Sequence, residues 1–107
     1  MAGSGTMPDA HAGREALDHV DRILQARPGR DEHALTAAVQ CLAEFRDHYV
    51  ARHRNEGGER HRSTLERINA VISIVMGVHF PLGEVPWGEL EKARGWLDDV
   101  LRDEAAQ

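Results

Sequence analysis

Apolar residues recur at helical spacing in four stretches of this chain, separated by short polar or proline-containing breaks. Leu17, Val20, Ile23 and Leu24 form the first stripe. It predicts a helix from Pro8 and Asp9, which suit a first turn, to about Ala26. Gly13 weakens its start, and Pro28-Gly29 breaks it. Asp31 is placed to cap a second helix. Leu35, Ala38, Leu42, Phe45 and Tyr49 follow as a core stripe, and the helix runs to about Arg54, before Asn55-Glu56-Gly57-Gly58. The last helix opens with Pro86 at its first position and carries Leu90, Ala93, Leu97, Val100 and Leu101. Trp87 and Trp96 flank that stripe, and the tail from Asp103 should fray.

The third stretch, Leu65 to Trp87, is the most apolar. Wound as a helix to Phe80, its Leu, Ile, Val and Met residues fill an arc of roughly 200°. An arc that wide should touch at least two neighbours. Ala70, Ser73 and Gly77 are small and leave room for another helix to approach. Ser63-x-x-Glu66 reads as a capping box for its start, and Pro81 ends it. Beyond it, Phe80, Leu82, Val85 and Trp87 make an apolar loop, although loops are ordinarily polar. Two placements follow. As a lid, the loop caps the end of the helices and buries against the first two. As an interface, it stays exposed and binds a partner.

Four helices with short connections predict an all-α fold, an antiparallel up-down-up-down four-helix bundle. The wide arc of the third helix would also let it be completed as a homodimer around that helix. At 107 residues one domain is expected, over 8–105, behind a flexible N-terminal segment 1–7 of small residues. The formal net charge of −5 disfavours indiscriminate nucleic-acid binding. A single cysteine excludes an intrachain disulfide and fits the reducing cytoplasm. No signal peptide is visible, and the third stretch is too short and interrupted to span a membrane. Twelve arginines against one lysine suggest a GC-rich, bacterial genome.

Histidine is the unusual component, with seven in the chain. A histidine-ligated metal site in a helical bundle is therefore one reading. Paired Glu-x-x-His or His-x-x-x-His spacings, which put two ligands on one helical face, are absent; Glu44-x-x-x-His48 is nearest, and both should face solvent. No metal ligand is assigned on that ground. His79, at the end of the third helix, is expected to bond its last carbonyls. Cys41 should pack half-buried beside the second stripe. No Gly-rich phosphate loop, zinc-type cysteine pair or nucleophile elbow appears, and no cofactor is expected.

Arg46 and His53 fall on the core side of the second helix, where a charged group needs a partner or a shared cleft. The eight residues Arg46-Asp47-His48-Tyr49-Val50-Ala51-Arg52-His53 resemble the Arg-x(4–6)-His signature of the HEPN superfamily, small helical proteins that are usually dimeric. The resemblance implies a metal-independent ribonuclease in which Arg46 holds the phosphate and His53 acts as acid or base. Charge is also uneven. Arg52, Arg54, Arg60 and Arg62 bracket the turn between the second and third helices and are candidates for anion binding. The segment from Glu84 to Glu104 carries seven carboxylates against three basic residues. The leading expectation is a non-enzymatic interaction or regulatory module, binding a protein partner or itself through Phe80, Leu82, Val85 and Trp87. The HEPN-like ribonuclease and the histidine-ligated metal protein are the alternatives.

Overall fold

The computed structural model describes residues 8–106, so the expected flexible segment 1–7 lies outside the described residues. The described residues form four α-helices: α1 (Pro8–Ala26), α2 (Glu32–Arg52), α3 (Glu59–His79) and α4 (Trp87–Ala105). No strand occurs among the described residues. Each helix packs on the next in sequence, and α1 also packs on α4.

The stripes of α2 and α4 fold as their spacing requires. Leu35, Ala38, Leu42, Phe45 and Tyr49 are buried, as are Leu90, Ala93, Leu97, Val100 and Leu101. The Asp31 carboxylate accepts the Ala34 amide at 3.0 Å and caps α2. In α1 the buried line is Ala12, Ala16, Val20 and Ile23, while Leu17 and Leu24 are only half-buried. Small residues let α1 approach closely there. A β-carbon added to Gly13 would stand 2.5 Å from Leu101 Cδ2 and 3.3 Å from two ring carbons of Phe45. Gly13 is therefore a packing position rather than a weak start.

Helix α3 differs from its sequence reading at both ends. It begins at Glu59, and Gly58 at φ 110° turns the chain into it. Ser63 lies inside the helix and does not cap it. The Tyr49 hydroxyl lies 3.0 Å from His61 Nδ1, and this contact to α2 anchors the earlier first turn. Ile68, Val71, Val75 and Val78 are buried between α2 and α4, but Met76 is exposed, so the buried face is narrower than expected. Of the small residues Ala70, Ser73 and Gly77, Ser73 faces solvent, and a β-carbon added to Gly77 would stand 3.7 Å from Pro86 Cγ, an ordinary contact. At the far end Arg30, not His79, satisfies the carbonyls. Its Nη1 donates to His79 O at 3.0 Å and to Val78 O at 3.4 Å. The His79 ring stacks on Phe80 instead, at a centroid distance of 4.1 Å.

Helix α4 runs to Ala105, through the segment expected to fray. Its last turn is held because the Glu104 side chain is only 7% exposed and lies 3.5 Å from both Arg52 Nη1 and His53 Nε2. Between α1 and α4, Arg94 meets Asp21 and Arg27 meets Glu91, each at 2.8 Å. Such half-exposed pairs contribute about 0.2–1 kcal/mol each and fix register more than stability.

Candidate functional site

The loop after α3 divides into two parts. Val85 and Trp87 fold back against the core, and the Trp87 amide donates to Val85 O at 2.9 Å. Phe80 and Leu82 point outward, 63% and 106% exposed. The lid placement is therefore corrected for those two residues. Pro81 follows Phe80 directly, and its fixed φ limits the ways the chain can carry both side chains inward. Met76, one turn before Phe80, is also exposed and extends the apolar surface along α3. These three side chains project from an ordered helix end and a loop with two prolines.

A second constellation gathers about 30 Å away, at the other end of the 21-residue α3. His53 is the C-cap of α2, and the Glu56 amide donates to its carbonyl at 3.0 Å, closing the turn. Gly58 then carries the chain back so that His61 enters the first turn of α3. His53 Nδ1 lies 3.2 Å from Glu56 Oε2, and His61 Nε2 lies 3.1 Å from Glu56 Oε1. The two imidazole centroids are 4.5 Å apart, and that of Tyr49 is 4.4 Å from His53. The His53 ring beside Glu56, and then the charge of both histidines, hold this carboxyl below its ordinary range. His53 is 9% exposed, yet neither ring nitrogen has a hydrogen bond of proper alignment.

The cluster edges an open cleft of about 350 Å³ lined by Tyr49, Val50, His53, Arg54, Gly57, Gly58, His61, Arg62 and Leu65. Of the four candidate anion-binding arginines, Arg54 and Arg62 reach this cleft. Arg62 also lies 3.5 Å from Glu59, Arg52 pairs with Glu104, and Arg60 is exposed. Arg46 and His53 are not brought together within the chain. Seven residues apart, they are separated by about 10 Å along the helix. The Arg46 guanidinium lies 3.3 Å from Asp47, and Arg46 does not line the cleft.

Glu44 and His48 are exposed, as expected. Cys41 is half-buried, its Sγ 3.8 Å from Glu15 Oε1. Burial, then the charges of Glu15 and Glu44, push its thiol above the ordinary value. The His53–Glu56–His61 constellation is invisible to ligand spacings counted within one helix. These residues straddle a turn, and His53-x-x-Glu56 followed by a Gly-Gly reversal and His61 is the signal that would have found them. Among the described residues no helix is long and apolar enough to cross a membrane. Comparison of the chain with protein-family models, curated proteins and solved structures finds no match.

Proposed function

We propose that this chain is a non-enzymatic interaction module whose partner is a second copy of itself, docked through Phe80, Leu82 and the outer face of α3. The carrying observation is the full exposure of Leu82 beside an exposed Phe80 on a proline-limited loop. An apolar side chain that reaches full exposure gains nothing from the fold and can gain only from something outside it. Val85 and Trp87, the other two candidate binding residues, act from beneath by seating the loop on the core.

A stable interface removes roughly 800 Å² from each partner. Phe80 and Leu82 alone are too small for that, so Met76 and the exposed Ser73 beside them belong to the same contact. A surface of this kind meets its own copy about a two-fold axis, with each Leu82 buried by the partner's α3. Within each chain the contacts pair residue 13 with 101, 21 with 94 and 27 with 91. That order supports antiparallel α1 and α4 and an up-down-up-down arrangement, which leaves the α3–α4 loop at one end for docking.

The test is Leu82→Ala. Surface truncations away from packed features stay within about 0.5 kcal/mol of the parent stability. At concentrations where both are single chains the variant is expected to melt like the parent, while at higher concentrations its self-association weakens in sedimentation velocity. A loss of 2–5 kcal/mol, the ordinary consequence of truncating a core leucine, would instead mean that Leu82 is packed inside the fold.

A further inference from the structure

We propose that His53, Glu56 and His61 form a binding site for one zinc-class divalent cation, with Glu104 and Tyr49 orienting the two imidazoles from behind. One donor atom from each of the three residues lies within 4.8 Å of the others. The separations are those of a coordination edge. Ligands about 2.0–2.1 Å from a tetrahedral metal stand about 3.3 Å from one another. The two nitrogens that face Glu56 are 3.2 and 3.1 Å from its oxygens.

The opposite nitrogens make the stronger point. A metal-bound imidazole commonly gives its remaining N–H to a carboxylate, carbonyl or other acceptor, which fixes its tautomer and orientation. Here His53 Nε2 faces Glu104 Oε1 at 3.5 Å, and His61 Nδ1 faces the Tyr49 hydroxyl at 3.0 Å. The His61 ring is thus held by a hydrogen bond on the side away from Glu56, and the His53 ring has the Glu104 carboxylate within reach there. Arg52, 3.5 Å from Glu104, supports that carboxylate in turn. His53 is nine-tenths buried without a properly aligned hydrogen bond at either nitrogen. A cation between it and Glu56 would take the Nδ1 lone pair and leave Nε2–H for Glu104.

The donor set selects the ion class. Two imidazoles and one carboxylate suit zinc, cobalt, nickel or copper, whereas calcium and magnesium prefer all-oxygen ligands. Three protein ligands would leave a fourth position for water or an anion, and two of the three, His53 and His61, also line the cleft. Arg54 and Arg62 line that cleft and favour an anion or hydroxide there. The ligands come from the end of α2, the turn and the start of α3, so the ion would also clamp the α2–α3 turn.

The experiment uses the full chain without a histidine tag, stripped with EDTA and titrated with zinc by calorimetry, with cobalt absorption as a second readout. One zinc per chain is expected, with a higher melting temperature and a tetrahedral cobalt spectrum. Calcium and magnesium should give no shift. Loss of a supporting partner weakens binding by about 10–100-fold. Tyr49→Phe should fall in that range, and His61→Gln and Glu56→Gln should weaken binding by more than roughly 100-fold. Both ligand variants alter side chains that are partly exposed, so they keep the fold even if His53→Gln does not. His48→Gln should bind as the parent does. No zinc uptake at micromolar protein overturns the proposal. So does uptake that survives His61→Gln and Glu56→Gln. The site lies at the opposite end of α3 from Leu82, so its ligand variants should leave self-association unchanged.

Discussion

Replacing Gly13 by alanine sets two effects of similar size against each other. At an open helix-interior position the change stabilises by about 1 kcal/mol through helix propensity. Gly13 is not open. The new β-carbon would stand 2.5 Å from Leu101 Cδ2, about 1.0–1.5 Å inside the usual carbon contact of about 3.5–4.0 Å. It would also press on two ring carbons of Phe45 at 3.3 Å. Phe45 is fully buried and has no room to retreat, while Leu101, 8% exposed, can move only by changing rotamer. Overpacking of this kind costs about 1–3 kcal/mol, so Gly13→Ala should destabilise by about 1 kcal/mol net. For a domain of this size that lowers the melting temperature by roughly 4–8 °C. Gly95, inside α4, is the control, because nothing lies within 4 Å of an added β-carbon there. Gly95→Ala should raise the melting temperature. In a Leu101→Ala background the clash is relieved, and Gly13→Ala should become stabilising, a coupling that a double-mutant cycle measures. If Gly13→Ala stabilises the parent as much as Gly95→Ala does, the close packing of α1 against α4 and Phe45 is wrong.

Arg30→Ala removes the donor to the last carbonyls of α3 and should cost about 0.5–1.5 kcal/mol in denaturant unfolding, with faster amide exchange in the last turn of α3; an unchanged midpoint contradicts this capping. The Cys41 thiol, raised by burial and then by Glu15 and Glu44, should react with iodoacetamide at neutral pH more slowly than free cysteine. Glu15→Gln should speed that reaction, and a Cys41 as reactive as a free thiol would refute the assignment.

Large apolar residues at regular spacing made α2 and α4 legible in the sequence, since Leu35 to Tyr49 and Leu90 to Leu101 admit one helical face. The same reasoning placed the stripe of α1 on its leucines. The close contact is made instead by Ala12, Gly13 and Ala16, whose importance lies in what they lack. The start of α3 carries a local capping signal at Ser63, and a distant contact between Tyr49 and His61 overrides it. Glu104 stays in α4 for a similar reason, because its partners Arg52 and His53 lie about fifty residues away in sequence. Composition marked the Phe80–Trp87 loop as unusual. Which of its residues turn inward depends on where α4 begins relative to the core, and hydrophobicity alone does not encode that.

Light scattering on the untagged protein, eluted from a sizing column over a range of micromolar concentrations, tests the proposed function most directly. One chain has a mass of 11.9 kDa. Self-association through Leu82 predicts a mass near twice that value at the higher concentrations, returning to the single-chain mass in Leu82→Asp. A mass of one chain at every concentration, with the parent and Leu82→Asp indistinguishable, would contradict it.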